Sequence, residues 1–328
     1  MKFRSVFSMA IIWNVFFATG CSAGPFLSKR MVATDGRIYA FESDGNGFNT
    51  KSFFYDNGEE VVVFDGQFTS EIAQKSVEFI RSKTRNPITY VVLTHPNPDK
   101  FNGMSVFQAL GAKVVASNKT ADAMPGVHAY KKYFFVNMAK MFTDETYPKL
   151  SQVDVTFVGD YELRLANGET ISLHELEQPG VSSNQTIASI PSLRAVVVGD
   201  LVHHNAHAWL EGGIVNGKPI PTLDGWIADL NELQALFRDE PLTLVYGGRG
   251  EAARLATAVN AQIRYLKRAN SIVDAYIEKL GVKKNALQGE QAPAHYKNLQ
   301  TEFEKVFPSY RLGYLIQYGV YGLVNSKL

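Results

Sequence analysis

Pro87-Ile88-Thr89-Tyr90-Val91-Val92-Leu93-Thr94-His95-Pro96-Asn97-Pro98-Asp99-Lys100-Phe101-Asn102-Gly103 is the stretch on which the reading of this chain turns. Tyr90 to Leu93 form a short apolar, β-branched-rich run, the pattern of a strand buried on both faces. Such a strand delivers Thr94 and His95 at its C-terminal end. Asn97 and Asp99 follow at alternate positions after that strand end.

Outward from this stretch the chain alternates. Arg37 to Ser43 and Asn49 to Asp56 read as strands around the glycine-rich turn Asp44-Gly45-Asn46-Gly47, and Asn57-Gly58 suggests a hairpin. Glu60 to Phe64 is a strand that ends at Asp65-Gly66. Ser70 to Lys83 carries apolar residues at a helical period. Gly103 to Leu110 reads as a helix and Lys113 to Ala116 as a strand. Further strands are expected at Val153–Val158, Tyr161–Leu165, Thr170–Glu175, Gln185–Ile190 and Ala195–Val198, then a helix at Leu223–Phe237. Leu242 to Val245 is a strand entering Tyr246-Gly247-Gly248-Arg249-Gly250. Helices fill about Glu251 to Leu280, and the aromatic-rich tail from Tyr296 to Asn325 is helix-prone. Meander, helices and meander again fit two sheets packed face to face with helices outside.

The central stretch resembles the metallo-β-lactamase signature, a hydrophobic strand followed by T-H-x-H-x-D-H-x-G-G. Val62-Val63-Phe64-Asp65-Gly66 resembles the strand ending in D-x-G that precedes it. Val196-Val197-Val198-Gly199-Asp200-Leu201-Val202 resembles the strand whose G-D supplies a bridging carboxylate. Tyr246-Gly247-Gly248-Arg249-Gly250 falls where that superfamily has P-G-H-G. Four blocks in the right order, over roughly residues 37–260, imply a four-layer αββα sandwich (α/β class) with a C-terminal helical extension. The implied division is a metallo-β-lactamase-like domain over 35–265 and the extension over 266–328.

The resemblance implies a hydrolase of an ester, lactone, amide or lactam, with one or two metal ions activating water. Residue by residue, the metal set would be His95, Asn97, Asp99 and Asp200, with Asp99 and His95 catalytic. Lys100, His207 and Arg249 would then contact a small-molecule substrate, an anionic one by their chemistry. The match departs from the pattern. The second histidine is Asn97, and the last is Lys100, although true β-lactamases often carry a cation there. The histidine of the intervening block aligns with Val181, and the final one with Arg249. Valine cannot ligate, and protonated lysine and arginine repel a dication. At ~4 Å and an effective dielectric of about 20, each unit-charge pair is worth about 4 kcal/mol before screening. Asp99 and Asp200 are therefore expected to pair with Lys100 and Arg249, and one zinc ion or none is expected. A metal-free envelope binding protein that kept a hydrolase pocket is the alternative reading.

A rival cluster, His203, His204, His207 and Glu211, follows Asp200 and could join His95 and Asp200 around a relocated metal; a loop of solvated or core-packed histidines is the blander reading. His128, His174 and His295 have no partners at ligand spacing. Ser182-Ser183-Asn184-Gln185 reads as a loop that could offer donors to an anion. The aromatic run Tyr130 to Phe135, with Met138, Met141 and Phe142, reads as core packing or as a lid on a pocket mouth.

The N-terminus has a different character. Lys2 and Arg4 precede an apolar run, Val6 to Phe17, too short to span a bilayer and followed by Ala18-Thr19-Gly20-Cys21. Residues 1–20 read as a signal peptide. The four-residue exit resembles a lipobox, in which Cys21 is lipidated and 21–34 is a tether. Cleavage near Ala23, discarding Cys21, stays open. An exported protein, periplasmic and lipid-anchored to the outer membrane, is expected. Cys21 is the sole cysteine, so no disulfide and no thiol chemistry is available to the mature domain. Apolar residues make up 45% and charged residues 20%, with a net charge of +1, which argues for an ordinary packed core and gives no sign of a nucleic-acid surface.

Overall fold

The computed structural model describes residues 36–328; the leader at 1–20, Cys21 and the tether to 34 lie outside the described residues. The first sheet comprises β1 (Ile38–Glu42), β2 (Lys51–Asp56), β3 (Val61–Phe64), β4 (Ile88–Val92), β5 (Lys113–Ser117) and β6 (Val155–Phe157), in that order. Its first three strands are antiparallel; β3 to β6 run parallel. The next elements are β7 (Asp160–Arg164), β8 (Thr170–Glu175), β9 (Thr186–Ile190), β10 (Ala195–His204), the hairpin β11 (Gly213–Val215) and β12 (Lys218–Ile220), then β13 (Leu244–Gly250) and β14 (Ala253–Arg254). The second sheet has the order β14-β13-β10-β9-β8-β7, with β10 and β13 parallel.

Period-two alternation explains the layers. Val62 and Phe64 join Val197 and Tyr246 in the core between the sheets, whereas Val61 and Val63 face the opposite way. That outer face is covered by helices α1 (Ser70–Arg81), the one-turn α2 (Pro98–Phe101), α3 (Met104–Gln108) and α4 (Asn118–Tyr133). Val196, Val198 and Val245 point from the second sheet to α5 (Leu223–Leu236), α6 (Leu255–Leu280) and α7 (Ala292–Val306). The helices α8 (Tyr314–Gly319) and α9 (Tyr321–Asn325) complete that layer. The expected αββα sandwich with C-terminal helices is present.

Several boundaries differ from the sequence expectation. β10 continues to His204 and β13 runs through the glycines to Gly250, because their parallel pairing carries the ladder past irregularities at Gly199. No element was expected over 118–129, yet α4 passes through Pro125 and Gly126, capped by the Ser117 hydroxyl and followed by a π-helical turn, Phe134–Met138. The division at 265/266 falls inside the single helix α6. Tyr265, Leu299 and Phe303 belong to the same core as Val196 and Trp226, so the C-terminal helices are part of the domain's own outer layer.

Candidate active site

The C-terminal ends of the parallel strands converge, as ligand sites in open α/β sheets do. β3 delivers Asp65, β4 delivers Thr94 and His95, α2 carries Asp99 and Lys100, β10 carries Asp200 and His203, and β13 carries Arg249. Asp65 sits in left-handed backbone at φ 68° and accepts hydrogen bonds from the Thr94 amide (2.9 Å) and hydroxyl (2.9 Å). The same hydroxyl lies 2.9 Å from His95 Nδ1, which fixes the imidazole.

Four charged side chains interlock in front of this support. Lys100 Nζ is 2.9 Å from Asp200 Oδ1, 3.1 Å from Asp99 Oδ2 and 4.0 Å from Asp65 Oδ2. The Arg249 guanidinium donates from Nη1 to Asp200 Oδ2, from Nη2 to Asp99 Oδ2 (3.0 Å) and Thr50 Oγ1 (2.8 Å), and from Nε to the Phe48 carbonyl (2.9 Å). Thr50 Oγ1 in turn donates to Asp99 Oδ2 at 2.7 Å. Lys100 is wholly buried and Arg249 only 3% exposed, so water does not screen these pairs. Gly248 permits the approach, since a Cβ there would overlap Asp200 Oδ1 and stand 3.1 Å from Lys100 Nζ.

The electrostatics follow from the packing. Burial alone would raise the Asp99 carboxyl, but the Lys100 and Arg249 cations outweigh it and hold the group down at about 2. Asp200 is likewise pushed up by burial and driven well below its ordinary value by Arg249 and Lys100. Burial lifts Asp65 to about 7, with Lys100 opposing. Burial depresses His95 to about 4 and His203 to about 3, with Asp200 opposing in each case, so both rings are neutral at pH 7. His95 Nε2 is 3.8 Å from Asp200 Oδ2 and His203 Nε2 is 3.9 Å from Asp200 Oδ1, and neither nitrogen has a hydrogen-bond partner among the described residues.

These residues fit a metal poorly. Lys100 Nζ and the guanidinium of Arg249 stand between the two aspartates, where the superfamily resemblance would place an ion. Among the described residues, no three His, Cys, Asp or Glu side chains are disposed to hold one. Val181 lies in the apolar core with Trp226 and offers no donor.

A cavity of about 30 Å³ opens above the cluster. Asn97, Asp99, Asp200 and Arg249 form its floor. Phe48, Phe68, Phe135 and Trp209 form its walls, with Lys131 beside them. Lys131 pairs with Glu211, and its Nζ lies 5.3 Å from the Trp209 ring centroid. Asp99, Asp200 and Arg249 come together at one centre on the cavity floor. His95 and Lys100 belong to the cluster but sit behind the cavity wall, sealed by burial. His207 is the clear departure. Its ring is boxed by Tyr265, Phe303, Phe307 and Tyr310 at 5.8–6.2 Å, and Nδ1 lies 3.3 Å from the Tyr265 hydroxyl, so it packs the C-terminal helices and does not line the cavity. Of the rival cluster only His203 reaches Asp200; Glu211 is engaged by Lys131 and Trp209, and His204 is half-buried near Glu251. His128, His174 and His295 bond Pro148, Glu232 and Tyr276. Thr50 and the aromatic wall carried no local signal, although the Tyr130–Phe135 run pointed to a pocket mouth.

The profile of the metallo-beta-lactamase superfamily matches residues 45–249. The chain belongs to the metallo-beta-lactamase superfamily. Solved structures of similar fold include a metallo-beta-lactamase from Pontibacter korlensis, at 17% identity and TM-score 0.56, covering 74% of this chain and 99% of that one. Another is the metallo-beta-lactamase FIM-1 from Pseudomonas aeruginosa in its mono-zinc form, at 13% identity and TM-score 0.54, covering 74% of this chain and 96% of that one. At these identities the likeness establishes the metallo-beta-lactamase fold. That superfamily typically binds zinc, and membership suggests a hydrolase-type function; substrate and metal content belong to the chain's own residues.

Proposed function

We propose that this chain is a metal-independent member of its superfamily that binds a small molecule in the pocket of an ancestral hydrolase. One observation carries the reading: the Lys100 ammonium and Arg249 guanidinium lie between Asp99 and Asp200 at hydrogen-bonding distance, supplying the positive charge a metal would otherwise supply. Removing the metal removes the low-pKa water that drives hydrolysis in the superfamily. Asp99 and His95, held at about 2 and about 4, are weak bases at neutral pH, and Asp65, at about 7, is bonded to Thr94 and does not line the cavity. Elemental analysis of protein purified without chelator, with turnover tests on esters, lactones and a chromogenic cephalosporin, checks the reading. Substoichiometric zinc and no chelator-sensitive turnover are expected; one tightly held zinc per chain with chelator-sensitive hydrolysis would overturn it.

Metal-free hydrolysis is the second reading. Asp99 Oδ1 carries no hydrogen bond among the described residues and lies beside a water-sized space, the arrangement of a base that activates water. Turnover that survives chelation and disappears in Asp99→Ala would favour it. We further propose export and anchoring through a lipidated Cys21. Cys21→Ser would then shift the protein from the detergent phase to the soluble fraction.

A further inference from the structure

We infer that the cavity takes the ammonium group of a primary amine with an aromatic or apolar body, an inference that rests on the metal-free reading above. The floor presents acceptors. Both oxygens of Asp200 and Oδ2 of Asp99 are engaged by Lys100, Arg249 and Thr50, whereas Asp99 Oδ1 has no hydrogen-bond partner among the described residues. The Asn97 side chain, on the same floor, caps no helix and makes no hydrogen bond among the described residues. Donors are the scarce commodity. An anion would have to take Arg249 or Lys100 away from two buried carboxylates, or Lys131 away from Glu211.

Charge and size agree. Among the described residues Asp99 and Asp200 are matched by Lys100 and Arg249, Lys131 is matched by Glu211, and His95 and His203 are neutral, so no unmatched positive charge at the floor opposes a cation. The cavity of about 30 Å³ has room for a head group of water size such as an ammonium. The walls suit the rest of the ligand. Phe48 lies 5.1 Å from Phe68, 5.7 Å from Phe135 and 6.0 Å from Trp209, an aromatic collar through which an apolar body leaves the site. Ring faces attract cations, and this wall already holds the Lys131 ammonium over Trp209.

Benzylamine, benzyl alcohol and benzoate share one body and differ in the head. Calorimetric titration of each into the zinc-analysed protein tests the inference. Benzylamine is expected to saturate in the millimolar range or below, benzyl alcohol to bind at least tenfold more weakly, and benzoate more weakly still. Asp99→Asn should cost benzylamine at least tenfold in affinity. Because that change disturbs the ionic cluster, Asn97→Lys supplies a second test: it places a cation on the cavity floor without removing a hydrogen bond among the described residues and should abolish benzylamine binding. Benzoate binding as tightly as benzylamine, no saturation by benzylamine, or Asn97→Lys without effect would each overturn the inference. A zinc-free protein that prefers benzoate would sink the amine assignment alone, whereas stoichiometric zinc with chelator-sensitive turnover would sink the metal-free reading itself.

Discussion

Lys100→Met removes one charge from the centre of the domain while keeping most of the side-chain volume. Lys100 is fully buried and faces Asp200 at 2.9 Å, Asp99 at 3.1 Å and Asp65 at 4.0 Å. Methionine fills the space of the lysine stem, so the cavity contribution is small. What is lost is the partner of buried carboxylates, which typically costs about 3–5 kcal/mol because the remaining charge is uncompensated. With roughly 2–4 °C of melting temperature per kcal/mol for a domain of this size, the midpoint should fall by roughly 10 °C. Urea unfolding at pH 7 in the presence of a chelator measures the free-energy difference. Acid provides an internal control. Without Lys100 the folded-state pKa values of Asp200 and Asp99 rise, so the deficit is full at neutral pH and shrinks as the pH falls and the carboxyls take up protons. A loss below about 1 kcal/mol would refute the reasoning. So would a wild-type protein that loses comparable stability on chelation alone, since metal would then be neutralising the aspartates.

Replacing both cations, Lys100→His with Arg249→His, gives Asp99 and Asp200 neutral nitrogen neighbours; the double variant should acquire zinc that elemental analysis detects, and no uptake would count against the cations as the barrier. The folded-state pKa of Asp99 lies below its ordinary 3.8, so the stability it contributes is complete above that value and drains away as the pH falls through about 2. Asp99→Asn should therefore flatten the acid limb of the stability profile between pH 4 and 2, and an unchanged limb would contradict the assignment. Phe303→Ala, in α7, should cost about 3–5 kcal/mol and lower a single cooperative transition, because Phe303 packs with His207 and Tyr265 in the main outer core. A separate early transition would instead mark the C-terminal helices as an independent unit.

Much of this molecule was legible from local pattern. Val61 to Phe64 and Val196 to Val198 announce buried strands, and their alternation already separates the inter-sheet core from the two outer ones. The superfamily blocks brought Asp99, Lys100, Asp200 and Arg249 to one centre, and their charges alone anticipated the pairing. Other parts were illegible for identifiable reasons. Thr50 bridges Asp99 and Arg249 across 199 residues of chain, and a lone threonine before a strand carries no mark of that role. His207 looked like a site residue because it follows the G-D block at a familiar spacing; the docking of α6 and α7 drew it into an aromatic box. Helix α4 hid behind Pro125-Gly126, a pair that locally signals a turn.

Sequence by itself determined the layered architecture and the chemical inventory of the centre, because hydrophobic period and residue type are written along the chain. Tertiary structure alone decided which aspartate oxygens are already spent, how little space remains above them, and which rings wall it in. Those properties arise where segments a hundred or more residues apart meet in a dry interior, and there the balance of charge, desolvation and volume is set by packing.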